Sequence, residues 1–221
     1  GQRIFQQPFS WKSLGVDVRG RAQSLRLNYR TSHQIRSQAD RLLPGAIADV
    51  DGNSDSRAGT ISLFDGSPPR IEVFDDPRAE IKAVGLWLLE RLEDGVEPAE
   101  IGVFVRSEAQ LSRARSAARD AGAEVTVGTM HQAKGLEFRA VAVMACDDEV
   151  IPLQERLETI GDDADLAEVY DTERHLLYVA CTRARDHLLV TGVDPASEFL
   201  LDLAAEDLAA EDLAAEAAPS R

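Results

Sequence analysis

Within nine residues, Thr129 to Glu137, the chain places a hydroxyl, an imidazole, an ammonium, a glycine and a carboxylate, on Thr129, His131, Lys134, Gly135 and Glu137. Lys134-Gly135 suits a phosphate, of a nucleotide or of a DNA backbone, while His131 and Glu137 taken singly also read as ordinary solvated loop side chains. Two more groups stand far from this loop in sequence. Tyr29-Arg30 offers either a ring that stacks on a base beside a guanidinium gripping a phosphate bidentately, or a tyrosine capping the core next to a surface arginine. Arg183 and Arg185 close a helical stretch, where cations suit the helix dipole; the other reading is an arginine finger set across an interface on a γ-phosphate.

The elements that must position these groups follow from the apolar pattern. Val125–Val127 and Ala140–Met144 are short apolar runs unbroken by charge, as in strands buried on both faces of a parallel sheet. A polar loop at the end of such a strand is where open α/β sheets hold ligands, which predicts that Thr129–Glu137 lies on one sheet edge. Upstream, Leu25–Arg30 reads as a short strand, and Thr31 or Ser32 caps a helix carrying Ile35, Ala39, Leu42 and Leu43, stopped by Pro44-Gly45. Residues 49–69, rich in Asp, Gly, Ser and Pro, read as a loop with one short strand at Thr60–Phe64. Arg70–Phe74 is a strand. Asp76-Pro77 then starts a helix with Ile81, Val84, Leu88 and Leu92 at helical spacing, ended by Gly95. Ile101–Val105 is a strand, and Ser107 opens a helix to about Ala121 with Gly122 as its left-handed stop.

Beyond Met144 an acidic irregular stretch, Asp147–Leu166, precedes a helix from Ala167 to about Ala184 and a last strand at His187–Thr191. Strands and helices alternating at such short intervals predict right-handed βαβ units in an α/β, mostly parallel sheet. The chain divides into a folded unit, residues 1–200, and an acidic Ala/Leu-rich tail, residues 201–221, in which DLAAE repeats three times. Leu203, Leu208 and Leu213 are five apart. That spacing advances about 140° net per step around a helix, so the leucines form no docking stripe and the tail reads as solvated or disordered.

The net charge of −15 excludes a broadly basic nucleic-acid surface, so any such site is a local groove. The 44% hydrophobic and 29% charged content is that of a globular protein, and no apolar run approaches the roughly 20 residues that cross a bilayer. Cys146 and Cys181 have neither C-x-x-C nor zinc spacing, which points to a reducing, cytoplasmic setting and to no metal site. The opening GQRIFQQPF has neither an initiator Met nor an apolar signal core, which suggests a start inside a larger protein or after a tag scar. The phosphate-cradling G-x-x-x-x-G-K-[ST] is missing from the chain.

Taken in order, QRIF at Gln2–Phe5, LRLNYRT at Leu25–Thr31, TMHQAKGLEF at Thr129–Phe138 and ERHLLYVACTRAR at Glu173–Arg185 resemble motifs III, IV, V and VI of the UvrD/Rep/PcrA helicases of superfamily 1. The stretch they span resembles the second, RecA-like motor domain (2A) of that family. The resemblance implies a three-layer α/β/α fold of the P-loop NTPase type and a part in an ATP-dependent, 3′-to-5′ DNA helicase or translocase of the kind used in DNA repair. It implies that Gln2 senses the γ-phosphate, Tyr29 stacks on adenine, Arg30 and Arg183 contact the γ-phosphate, and Glu137 bonds the ribose. It further implies that Thr129, His131 and Lys134 touch single-stranded DNA. ATP and Mg2+ would be held mainly by an N-terminal RecA-like domain, so the chain alone is expected to be inactive. Where the family usually inserts its 2B subdomain, only about 20 residues, Arg106 to Val125, stand here. Either the protein is a compact variant or the insertion has been removed. A different class remains open beside the motor: a non-catalytic DNA- or protein-binding module on the same fold, its acidic surface recruiting a basic partner.

Overall fold

The computed structural model describes residues 27–43, 46–48, 54–56, 61–158, 161 and 163–204. Gln2, with the rest of QRIF, and the tail beyond residue 204 lie outside the described residues.

The chain opens with β1 (Leu27–Asn28) and α1 (His33–Asp40), whose N-cap is Ser32: its hydroxyl accepts from the Ile35 N–H. A small antiparallel pair follows, β2 (Ala46–Ala48) with β3 (Ser54–Ser56), a hairpin the sequence pattern does not announce. Next, β4 (Ile61–Ser62) pairs in parallel with β1. After β5 (Arg70–Phe74), Asp76 caps α2 (Pro77–Glu93), its carboxylate accepting from the Arg78 and Ala79 N–H groups at 2.7 and 2.9 Å. Those two donors hold the Asp76 carboxyl below its ordinary pKa. β6 (Ile101–Val105) leads through a 3-10 turn into α3 (Leu111–Asp120), so the short stretch Arg106–Val125 is a plain crossover helix with its connections. Then come β7 (Thr126–Thr129), β8 (Phe138–Val143), α4 (Gln154–Leu157), α5 (Asp163–Cys181), β9 (Ala184–Val193) and α6 (Glu198–Ala204).

Five strands form one parallel sheet in the order β5-β9-β8-β6-β7. The alternation of side chains sorts them between two helical layers. Ile101, Val103, Val105, Ala140, Ala142 and Leu189 meet Val84, Trp87 and Leu88 of α2 and Ala114 and Ala117 of α3. Phe104, Val141, Val143, Leu188 and Val190 meet Ile35 and Ala39 of α1, Leu176 and Leu177 of α5, and Phe199 of α6. The expected three-layer α/β/α architecture is therefore the observed one, with each fully buried aliphatic stabilising by about 1.5–3 kcal/mol.

Two expectations need correction. The boundary drawn after residue 200 falls inside α6, and Leu203, read as undockable, is fully buried in the α1/α5 layer. One leucine suffices there because Phe199 and Leu200 precede it on the same buried face, outside the DLAAE repeat whose spacing suggested otherwise. Second, Thr129–Glu137 does not lie on one sheet edge. β7 and β8 flank β6, both parallel to it, so the chain must leave the carboxyl edge at Thr129 and re-enter at the amino edge at Phe138.

Candidate functional site

At the amino edge of the sheet the structure gathers Tyr29, Arg30, Glu137 and Arg183. Tyr29 leaves β1 63% exposed, so it does not cap the core. The Arg30 guanidinium lies 5.5 Å from the Tyr29 ring centroid, and its Nε is 3.7 Å from Glu137 Oε2. Both charged side chains are about half exposed (55% and 52%). A pair of that kind is worth only about 0–1 kcal/mol, so a ligand can break it cheaply.

Arg183 differs. It is 6% exposed, and its guanidinium donates from Nε to the Val179 carbonyl (3.0 Å), from Nη1 to the Leu136 carbonyl (3.2 Å) and from Nη2 to Thr182 Oγ1 (3.4 Å). Its own carbonyl accepts from the Phe138 N–H at 3.0 Å. Arg183 thus staples the end of α5 to the start of β8, satisfying a last-turn carbonyl of the helix as it does so. Burial, and next the charge of Arg30, push its pKa down, with Glu137 acting the other way. Two guanidiniums that repel each other beside one half-exposed carboxylate form a place where a polyanion's oxygens would be favourable. Arg185 turns elsewhere: its guanidinium stands 5.4 Å from the Phe64 ring centroid and 3.7 Å from Asp186 Oδ1.

The other three predicted residues begin at the carboxyl edge. Thr129 is nearly buried, its N–H donating to Gln132 Oε1 at 2.9 Å, and Met130 N–H donates to the Val105 carbonyl at 2.7 Å. A Cβ on Gly128 would come within 2.8 Å of Gln132 Oε1, so glycine makes room for that folded-back amide. From Thr129 to Leu136 the chain makes consecutive short-range turns. Gly135, at φ +86°, supplies the left-handed residue that turns it into β8. His131 is half-buried, its pKa lowered first by burial and then by the charge of Arg106, with Arg156 adding to this and Glu173 opposing it. Lys134 is also half-buried, on the stretch that crosses the sheet. Thr129 and His131 are therefore brought together with each other, but not with Glu137.

Sequence reasoning missed the charged groups that surround this edge. Arg106, the residue after β6, makes a bidentate pair with Glu173 of α5, both bonds 2.6 Å, and Arg156 Nη1 donates to Glu173 Oε1 at 2.8 Å. Glu173 is fully buried, and its pKa is lowered by Arg106 and then Arg156, against the upward push of burial. A second network centres on Glu80, also fully buried. It accepts from the Ala145 N–H (2.8 Å), Thr191 Oγ1 (2.7 Å) and Arg113, which also binds Asp147. A signal existed for both carboxylates. Glu173 lies three, four and seven residues before Leu176, Leu177 and Ala180, and Glu80 four, seven and eight before Val84, Trp87 and Leu88, so each occupies its helix's apolar stripe. Among the described residues, no group of three or more His, Cys, Asp or Glu side chains is arranged to hold a metal ion.

Residues 89–194 match the UvrD-like helicase C-terminal domain. The chain is 30% identical over 125 residues to the ATP-dependent DNA helicase UvrD1 of Mycobacterium leprae, covering 52% of this chain and 15% of that protein. It is 48% identical over 69 residues to the putative ATP-dependent DNA helicase YjcD of Bacillus subtilis, covering 30% of this chain and 9% of that protein. The chain thus spans less than a sixth of the length of these curated relatives. Among solved structures it resembles the C-terminal domain of a possible DNA helicase from Lactobacillus plantarum, with a TM-score of 0.54 at 22% identity. That match covers 80% of this chain and 94% of the other, and it shows the fold.

Proposed function

We propose, from the match of residues 89–194 to the UvrD-like helicase C-terminal domain, that the chain is the second motor domain of an ATP-dependent 3′-to-5′ DNA helicase or translocase. The observation that carries this reading is the cluster at the amino edge: Arg30 pairs with Glu137 at 3.7 Å, and the charges of both act on the Arg183 guanidinium. ATP with Mg2+, held by the phosphate loop of an N-terminal RecA-like domain, supplies the transferable phosphoryl group. This chain's residues complete the site around it. Arg30 and Arg183 stabilise charge on the phosphoryl oxygens, Tyr29 stacks on the adenine, and Glu137 accepts from the ribose. Arg30 is free to swing on its exposed side chain. Arg183 has three of its five guanidinium donors engaged, which holds the remaining face of the fork in one orientation. Gln2, outside the described residues, links the γ-phosphate to the DNA track.

Thr129 and His131 at the opposite edge, with Lys134 on the stretch that crosses the sheet, take single-stranded DNA. A net charge of −15 limits this grip to the groove itself and leaves the rest of the surface repelling the strand. Phosphoryl transfer at one edge and strand contact at the other make the chain a coupling element.

The test is DNA-stimulated ATP hydrolysis by the full-length motor. Arg30→Ala and Arg183→Ala should each lower turnover by about 10³-fold or more. This chain by itself should hydrolyse ATP negligibly. A loss under tenfold for both variants, or magnesium-dependent hydrolysis by the isolated chain that Arg183→Ala abolishes, overturns the assignment.

A further inference from the structure

Two segments run the same way across one face of the sheet, from its carboxyl edge to its amino edge. One is the polar loop between Thr129 and Phe138; the other is α5. At the amino edge they are locked together by Arg183, through the Leu136 carbonyl at 3.2 Å and the Phe138 N–H at 3.0 Å. At the carboxyl edge a lock of different chemistry faces the same two segments. Val105 and Thr129 are register partners, and Met130 N–H donates to the Val105 carbonyl, so Arg106 stands beside Met130 and His131. From there Arg106 reaches Glu173 of α5 with both arms of its fork.

We propose that Glu173 is a positioning residue for the strand-binding loop. Through Arg106 it fixes Met130–His131 to α5, so that α5 carries Arg183 and the DNA grip as one rigid body. The inference rests on the reading of this chain as a DNA motor domain. From Glu173 to Cys181, the last residue of α5, is about 12 Å of helix, and the Thr182 and Arg183 N–H groups donate back to the Tyr178 and Ala180 carbonyls, which ties Arg183 to that last turn. A displacement of Arg183 by the phosphoryl group it touches is therefore delivered at Glu173 without passing through the loop's turns, where Gly135 would absorb it. Arg156 of α4 completes the carboxylate's shell, so Arg106 is not the sole charge opposing it. The lowered proton affinity of His131 agrees with Arg106 lying close to it.

A carboxylate buried between two arginines could serve folding alone, and the experiment separates the two roles. In the full-length motor, Glu173→Ala leaves the buried Arg106 guanidinium unmatched and deprives the partly exposed Arg156 of its partner, and is expected to fold poorly. The informative protein is therefore the double variant Arg106→Met/Glu173→Leu, in which apolar side chains of similar volume replace the pair and keep the core filled. Its oligothymidine concentration for half-maximal ATPase stimulation should rise tenfold or more. Its DNA-independent turnover and its KM for ATP should stay within twofold of the parent. Glu173→Asp should recover part of the DNA response. A folded double variant with unchanged half-stimulation assigns the pair to stability only and overturns the inference. His131→Ala is the control. If it weakens the DNA response while the double variant does not, only the positioning role falls. If His131→Ala also leaves the response unchanged, the DNA-binding assignment of this loop falls and the inference with it.

Discussion

The two edges of the sheet carry the same residue types in opposite circumstances. At the carboxyl edge, the carboxylates Glu173 and Glu80 are fully buried, each held by arginine. At the amino edge Arg30 and Glu137 are half exposed, 3.7 Å apart, and Tyr29 stands in solvent. Burying a charge costs several kcal/mol and persists only with tight pairing, so the carboxyl-edge groups are already fully spent on one another. Exposed, loosely paired groups keep their hydrogen-bonding capacity for something that arrives. Burial thus sets Arg30, Glu137 and Tyr29 apart from the carboxyl-edge pairs, while Arg183, 6% exposed and held by three hydrogen bonds, belongs with the buried groups although it stands at the amino edge.

Several substitutions break or sharpen that contrast. The largest expected effect is functional: Arg30→Ala should lower DNA-stimulated ATP turnover about 10³-fold while changing unfolding free energy by no more than about 0.5 kcal/mol. Kinetics and urea denaturation of the same preparation check both halves. Arg183→Ala, removing the staple between α5 and β8, should lose activity and stability together. Next, Glu173→Ala should destabilise the fold by about 3–5 kcal/mol, because it strands Arg106 and Arg156 without their counter-charge. A loss below about 1 kcal/mol would mean that the carboxyl edge is no better organised than the surface.

A smaller effect is pH-dependent. His131 and His187 both have pKa values pushed down, by burial first and then by Arg106 and Arg91 respectively. The unfolded chain therefore takes up imidazole protons at higher pH than the folded one. The stabilisation is complete above the unfolded imidazole value, about 6.5, and is lost as pH falls below it through the folded values. Between about pH 7.5 and 5.5, above the range where carboxylates titrate, the thermal midpoint should fall. His131→Gln/His187→Gln should flatten that slope, and equal slopes in variant and parent would refute the assignment. The smallest effect is expected of Glu137→Gln, which should change stability by less than about 0.5 kcal/mol, since its pair with Arg30 is solvent-screened. Its signature is a raised KM for ATP.

Element positions were legible wherever side-chain chemistry acts locally. Asp76-Pro77 announced the start of α2, and Gly95 and Gly122, both left-handed, marked the ends of α2 and α3. β5 and β6 fall on the residues their apolar runs predict. The grouping of Arg30, Glu137 and Arg183 was legible only by resemblance to a family, because nothing local joins residues that stand tens to more than a hundred positions apart. Strand order was not legible at all: the pairing of β6 with both β7 and β8 is a long-range choice, and it decides that Thr129 and Glu137 stand on opposite edges. Glu80 and Glu173 went unseen because a charged residue on an apolar stripe reads as an imperfection until its partner is located.

The place of β9 has a consequence for how the molecule is made. It is the last strand in the chain, yet it lies between β5 and β8, paired to both. Until residues 184–193 have been synthesised, β5 has no neighbour and β8 has one open side. A nascent or prematurely released chain therefore presents two incompletely paired strands, β5 and β8, the second ending in AVAV, to any other chain nearby. Completion of the sheet waits for the segment that also brings in Arg183, so the chain cannot close its core before it has acquired the residue that staples α5 to β8.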